Sequence, residues 1–358
     1  MKTPMSKIAA VQKECYGENA DNYISGCLVG GAIGDALGYA VEFDSYEDII
    51  ARFGNKGIED YVLESGLAVI SDDTQMTLFT AEGLLYAHKK NGEISVEEYV
   101  YEFYLKWFST QGFVPPNSKN EVVSKLVEIP RLNIKRAPGN TCLSALNGGR
   151  MGTIENNLNS SKGCGTVMRV APVGAMYTSR SDAFVIGAKI GALTHGHPLG
   201  YLASGLLAEI ISKLIHEDEK DLEKVVRFSL EHLEEMRTVI DCYQGCYDEL
   251  KEIMLKAIEL SHQDIVPLDA IKILGGGWVA EEALAISVYC ALKTNCDFKK
   301  AIVLAVNHDG DSDSTGAITG NIVGAIVGYD KLPKQYLEHL ELKDVILAIA
   351  EELAYIRK

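Results

Sequence analysis

The 358-residue sequence is short of positive charge: 34 Lys and Arg stand against 50 Asp and Glu, for a formal net charge of −16. Phosphate backbones and anionic membrane surfaces require a basic face, so neither nucleic acid nor a membrane is an expected partner. Paired cysteine motifs are missing as well. The eight cysteines (Cys15, Cys27, Cys142, Cys164, Cys242, Cys246, Cys290, Cys296) include no C-x-x-C pair, and a chain this long does not need disulfide staples. They are expected to be reduced small hydrophobes, with Cys242 and Cys246 of "CYQGC" on one helix face. The opening "MKTPMSKIAAVQKECYGENA" has no long apolar core or small-residue cleavage pattern, and no later segment reads as the ~20 apolar residues of a spanning helix. A cytoplasmic location is the resulting expectation.

Alternating strand patterns are also scarce. Apolar residues recur at helical spacing in "TLFTAEGLLYAHKK", "YLASGLLAEIISKLIHE", "VAEEALAISVYCALKT" and "KDVILAIAEELAYIRK". Between them lie Pro- and Gly-marked loops, "TQGFVPPNSKN", "RAPGN" and the long "NGGRMGTIENNLNSSKGCG", whose length suggests a binding loop. No composition break divides the chain. The pattern predicts one all-α domain over residues 21–358, with residues 1–20 as an N-terminal extension.

Glycine is abundant where helices should avoid it. Gly26, Gly30, Gly34 and Gly38 lie four apart, as do Gly316, Gly320, Gly324 and Gly328. Each glycine costs a helix about 1 kcal/mol against alanine, so eight such positions need a reason. Spaced by four, they leave a stripe without side chains against which another backbone can pack closely. The two stripes are expected to bring two helix starts to a common site.

One of those starts is "HDGDSDSTG". Capping explains one or two of its oxygens, because Ser, Asp and Thr side chains satisfy free helix N–H groups. Asp309, Asp311 and Asp313 exceed that need and repel one another unless a cation lies between them. An EF-hand is excluded: counted from Asp309, Ser314 replaces its required glycine and Gly320 its closing glutamate. A second acidic start, Ser71, Asp72 and Asp73, has the same form. Two such turns resemble halves of one oxygen-ligand site, which favours Mg²⁺ or Mn²⁺, with Ca²⁺ the remaining candidate. "GCLVGGAIGDALG" matches neither a P-loop nor a dinucleotide fingerprint, and His195 and His197 of "LTHGHP" lack the spacing of zinc hydrolases.

Taken in order, "GCLVGGAIGDALGYAVEF", "SDDTQMTLFTAEGLL", "SKGCGTVMRVAPVG", "LTHGHP", "GGGWVAEEALAISVYCAL" and "VNHDGDSDSTGAITGNIVGA" resemble the ADP-ribosylglycohydrolases, across roughly residues 22–330. The resemblance implies a single, orthogonally packed all-α domain with two Mg²⁺ or Mn²⁺ ions at the base of a cleft. It makes Ser71, Asp72 and Asp73, with Asp311, Asp313 and Ser314, the metal ligands, and Asp313 the bridge. Glu42 becomes an acid/base or metal-gating group acting with Asp72 and Asp313. Ser161, Lys162, Gly163, Cys164 and Gly165 become a substrate loop whose N–H groups face a diphosphate or distal ribose, and His195 a substrate contact. Cys164 stands where many relatives have Asn, Ser314 where Thr is frequent, and Asp309 is left a supporting role behind the ligands.

The implied activity is metal-dependent hydrolysis of the bond between ADP-ribose and a modified protein side chain, arginine foremost. Alternatives are serine-linked, poly- or small-molecule ADP-ribose as substrate, and ADP-ribose binding without turnover. The expected partner is the ADP-ribosylated protein, with ADP-ribose released. A monomer suffices, since every motif is on one chain.

Overall fold

The computed structural model describes residues 18–117, 119 and 121–357, and there the residues with helical periodicity form helices. In order these are α1 (Glu18–Gly38), α2 (Tyr46–Phe53), α3 (Asp72–Lys90), α4 (Val96–Thr110), α5 (Asn140–Asn147), α6 (Ala171–Met176), α7 (Arg180–Ala192) and α8 (Pro198–His216). They continue as α9 (Leu222–Met236), α10 (Gly245–His262), α11 (Pro267–Leu274), α12 (Ala280–Lys293), α13 (Phe298–Val306), α14 (Ser312–Val327), α15 (Lys334–His339) and α16 (Lys343–Ile356). Among the described residues no sheet forms, only isolated bridges such as Gly163 with Val279. The fold is all-α, as expected. Of the expected N-terminal extension, residues 1–17 lie outside the described ones and residues 18–20 open α1.

Local chemistry sets many helix starts. Ser45 and Ser95 form capping boxes with Asp48 and Glu98, and the His197 side chain accepts the Leu199 N–H ahead of Pro198. Cys242 lies outside the helix that holds Cys246, because α10 begins only at Gly245; the shared helix face expected for this pair does not exist. Cys27, Cys142, Cys164, Cys242, Cys246, Cys290 and Cys296 are all free thiols.

Two segments, Asp21–Val41 and Pro198–His216, are long and apolar enough to span a membrane by composition, contrary to the reading of the sequence. Both are core helices here, the second with 94% of its most apolar window buried. Their apolarity is accounted for by burial on all sides, since a helix without a polar face belongs to a core as readily as to a bilayer.

The glycine stripes explain how α1 reaches the centre of the domain. A Cβ on Gly26, Gly30, Gly34 or Gly38 would lie closer than 3.0 Å to backbone of Gly324, Gly320, Gly316 or Ser312 respectively. As one helix climbs the other descends, so α1 and α14 are antiparallel. This corrects one expectation: the start of α14 meets the end of α1, not its start. The consequence is chemical, because the residues following Gly38, Glu42 among them, are delivered to the first turn of α14.

Candidate metal centre and substrate cleft

Each acidic turn is a helix start whose carboxylates are buried. Ser71 caps α3, its hydroxyl accepting the Asp73 N–H at 3.2 Å, and Asp311 caps α14 by accepting the Ser314 N–H at 3.4 Å. Asp313 accepts that same N–H at 2.8 Å. Asp72 is held by the "RAPGN" loop: its N–H donates to the Arg136 carbonyl at 3.0 Å and its carboxylate accepts the Gly139 N–H at 3.3 Å. Ser71, Asp72, Asp73, Asp311, Asp313 and Ser314 are all buried, and Asp313 lies close enough to Asp72 and Asp73 for its charge to act on both. Glu42 joins them, with one oxygen each of Glu42, Asp311 and Asp313 within 4.8 Å of one another.

Asp35, inside α1, is the residue the sequence reading passed over. Its carboxylate accepts the Ser71 N–H at 2.9 and 3.1 Å and the Thr74 N–H at 3.1 Å, and bonds to the Thr74 hydroxyl. It therefore ties α3 to the glycine-striped helix. The available signal was a lone charge within an apolar run, which needs buried partners to persist.

So many carboxyls in one dry space raise one another. Burial first, and Asp313 second, push Asp35 up to about 7 and Glu42 up to about 10. The same causes hold Asp72, Asp73 and Asp311 well above the ordinary carboxylate range. Glu42 Oε2, Asp73 Oδ2 and Asp311 Oδ2 are buried without any hydrogen-bond partner. Buried oxygens are rarely left so, and those of Glu42 and Asp311 belong to residues that, with Asp313, could hold a hard cation.

A pH-dependent effect follows, with a definite sign. A carboxyl raised on folding stabilises the fold fully below its unfolded pKa near 4 and loses that contribution as pH rises through 7 for Asp35 and 10 for Glu42. Without cations, ionising this cluster at pH 8 opposes folding; a divalent cation removes the opposition, whereas at pH 5.5 protons compete for the same oxygens. The rise in melting temperature on adding Mg²⁺ or Mn²⁺ to EDTA-treated protein is therefore expected to be larger at pH 8 than at pH 5.5. Saturation to a hundred times the Kd corresponds to about 2.7 kcal/mol. Buried His195 and His308 and half-buried His216, all held below the usual histidine range, act in the opposite direction but cancel between samples with and without cation. Equal increments at both pH values would contradict a carboxylate site.

The cleft wall is the loop before Thr166. The Ser161 N–H donates to Asn159 Oδ1 at 3.0 Å, the Gly163 N–H to Ser161 Oγ at 3.3 Å and the Cys164 N–H to the Trp278 carbonyl at 3.1 Å. These three amides hold the loop together, so they do not face a ligand as the resemblance implied. Lys162 turns to Glu281 and Glu249. The Cys164 thiol is pushed well up by burial, then by Asp311 and Asp73, and stays protonated beside the acidic cluster. His195 is buried with its imidazole against Gly163 and Gly165.

The "GGGW" segment lies alongside this loop, its Gly276 carbonyl accepting the Asp311 N–H at 2.9 Å. There Trp278 stacks on Phe43, ring centroids 6.4 Å apart, and both are exposed beside Glu42 and Asp311. Neither aromatic stood out in the sequence. Asp309 is absent from the cluster: exposed, it accepts the Tyr46 N–H at 2.7 Å and pairs with Lys272 at 3.5 Å, so it anchors α2 and does not support the ligands. A groove of about 450 Å³, lined by Phe108, Phe113, Asn140, Thr141, Leu143, Ser144 and Asn147, adjoins Ser161 through its 3.1 Å hydroxyl contact with Thr141.

Known proteins share this architecture. A solved structure described as an ADP-ribosylglycohydrolase-related protein complex superposes with a TM-score of 0.61, covering 96% of this chain and 100% of that one at 21% identity, which establishes the fold. The ADP-ribosylarginine hydrolase of Serratia proteamaculans is 26% identical over 92% of this chain and 78% of its own length. The ADP-ribosyl-dinitrogen reductase glycohydrolase of Rhodospirillum rubrum is 23% identical over 93% and 98%. ADP-ribosylhydrolase ARH3 of Bos taurus is 27% identical, but the match spans only 55% of this chain and 58% of that protein. The profile of the ADP-ribosylglycohydrolases matches residues 18–357, so the chain belongs to the ADP-ribosylglycohydrolase family of hydrolytic enzymes.

Proposed function

We propose that this enzyme hydrolyses the glycosidic bond between ADP-ribose and a modified protein side chain, arginine foremost, with two Mg²⁺ or Mn²⁺ ions. The observation that carries the reading is the convergence of two buried acidic turns and Glu42 with unpartnered carboxylate oxygens. The arginine assignment draws on the Serratia proteamaculans relative, which aligns along most of this chain.

Ser71, Asp72 and Asp73 at the start of α3, and Asp311, Asp313 and Ser314 at the start of α14, would hold the cations. When bound, the ions supply Lewis acidity toward ribose hydroxyls and lower the pKa of a water beside the anomeric carbon. The chain's own residues do the rest. Glu42, buried beside Asp311 and Asp313, is placed to exchange a proton with the leaving nitrogen as an oxocarbenium-like state develops. Asp72 is oriented by two backbone bonds from the "RAPGN" loop, and the loop from Ser161 to Gly165 with His195 walls the cleft. The groove beside Thr141 and the Phe43–Trp278 rim are the surfaces that would meet the distal parts of the substrate.

The test is a linkage panel. With Mg²⁺ or Mn²⁺, the enzyme is expected to release ADP-ribose from ADP-ribosyl-arginine at least about tenfold faster than from serine- or acid-linked substrates, a selectivity worth ~1.4 kcal/mol in the transition state. EDTA should abolish release. Preference for serine-linked ADP-ribose would move the substrate to the second candidate, and cleavage of no linkage would sink the hydrolase reading.

A further inference from the structure

His195 is one end of a buried relay whose other end is a guanidinium without a charged partner. Arg169 is fully buried, its hydrogen bonds among the described residues go to neutral groups, and its Nε has no partner. Its Nη2 donates to Thr194 Oγ1 at 2.7 Å and to the Ile190 carbonyl at 3.4 Å; its Nη1 approaches Cys142 Sγ at 3.3 Å and Met76 Sδ at 3.6 Å. The guanidinium lies over the Tyr104 ring at 4.4 Å. A buried cation is costly unless hydrogen bonds offset its lost hydration, and here the shortest of them goes to Thr194, next to His195.

Thr194 Oγ1 lies 2.8 Å from His195 Nδ1. Arginine can only donate, so it occupies a lone pair of the Thr194 oxygen and leaves the hydroxyl hydrogen to be given onward. Cys142 Sγ, already approached by Arg169, is a weak acceptor; the imidazole nitrogen is the strong one. Nδ1 then accepts, and the ring proton resides on Nε2. That nitrogen faces the substrate loop, where a Cβ at either Gly163 or Gly165 would lie 3.3 Å away. The two glycines leave its edge open.

Loop and relay form one unit. Asn159 Nδ2 donates to the Thr194 carbonyl at 2.8 Å, while its Oδ1 accepts the Ser161 N–H at 3.0 Å and the Gly196 N–H at 3.1 Å.

We propose that Arg169 and Thr194 are positioning residues that hold His195 as the Nε2–H tautomer, a neutral hydrogen-bond donor aimed across Gly163 and Gly165 at an acceptor oxygen of the substrate. Burial and the Arg169 charge hold His195 down to about 3, which keeps the donor uncharged throughout the neutral range. The proposal rests on the ADP-ribose reading only for the identity of that acceptor.

The experiment combines long-range ¹H–¹⁵N spectra of histidine-labelled full-length protein with ADP-ribose titration calorimetry, both with Mg²⁺ present. His195 is assigned by the loss of its signals in His195→Gln. In the unaltered protein Nε2 should resonate as a protonated nitrogen and Nδ1 as an unprotonated one. Thr194→Val, which keeps the side-chain shape, should mix the two tautomers and weaken ADP-ribose binding about tenfold, the loss of one charge-assisted or strong neutral bond. Thr194→Ser should restore both. A protonated Nδ1 in the unaltered protein overturns the proposal without recourse to any variant. So does a Thr194→Val protein with unchanged spectrum and affinity. Absence of ADP-ribose binding to the unaltered protein would instead overturn the ADP-ribose reading, while the spectra still decide the tautomer.

Discussion

Asp313→Ala is expected to lower kcat/KM for release of ADP-ribose from ADP-ribosyl-arginine by about 10³-fold or more, the scale of several kcal/mol that a bound cation supplies to a transition state. Asp313 is chosen because its charge raises Asp35, Glu42, Asp72, Asp73 and Asp311, which places it at the electrostatic centre of the cluster. Removing it takes away a cation ligand, and it also relieves repulsion that burdens the fold when no cation is bound. The EDTA-treated variant should therefore melt no lower than the EDTA-treated parent, while losing most of the parent's gain in melting temperature on adding Mg²⁺. Lost activity with retained stability separates a ligand from a core residue. Activity within tenfold of the parent would show that Asp313 is not at the reacting centre.

Gly34→Ala carries the largest expected effect on stability. The added Cβ would lie closer than 3.0 Å to the backbone of Gly316, and backbone in two packed helices cannot step aside as a side-chain tip can. Separating α1 from α14 would loosen core contacts along both helices, so a loss of about 3 kcal/mol or more is expected in denaturant unfolding, the upper end for overpacking. Gly139→Ala is the control: its φ is −59° and nothing lies within 4 Å of the added carbon, so its effect should stay within about 1 kcal/mol. Because α1 and α14 deliver Glu42 and Asp313, a folded fraction of Gly34→Ala should also bind cation less tightly. Equal stabilities for the two variants would refute the close-packed seam.

Much of this was legible in the sequence because the rules that carry it act over one or two turns. Glycines four apart read as one face, and Ser71 and Asp311 with their following carboxylates read as helix starts. The same local character explains the misreadings. Asp309 has the same chemistry as Asp311 two residues away, yet it serves the N-terminus of α2, a partner distant in the chain. The substrate-loop amides appeared free because their acceptors, Asn159 and Trp278 among them, are visible only once the chain turns.

By itself, then, the sequence determined the helical class, the close-packing glycine faces and the two acidic helix starts, all of which depend on period, residue type and immediate neighbours. Only the tertiary structure decided that the glycine helices run antiparallel, that Asp35 ties α1 to the Ser71 turn, and that Arg169 reaches His195 through Thr194. The physical reason is range. Periodicity and capping are settled within a few residues, whereas the energy of a buried charge sums over every group packed around it, and those distances exist only after segments far apart in the chain have met.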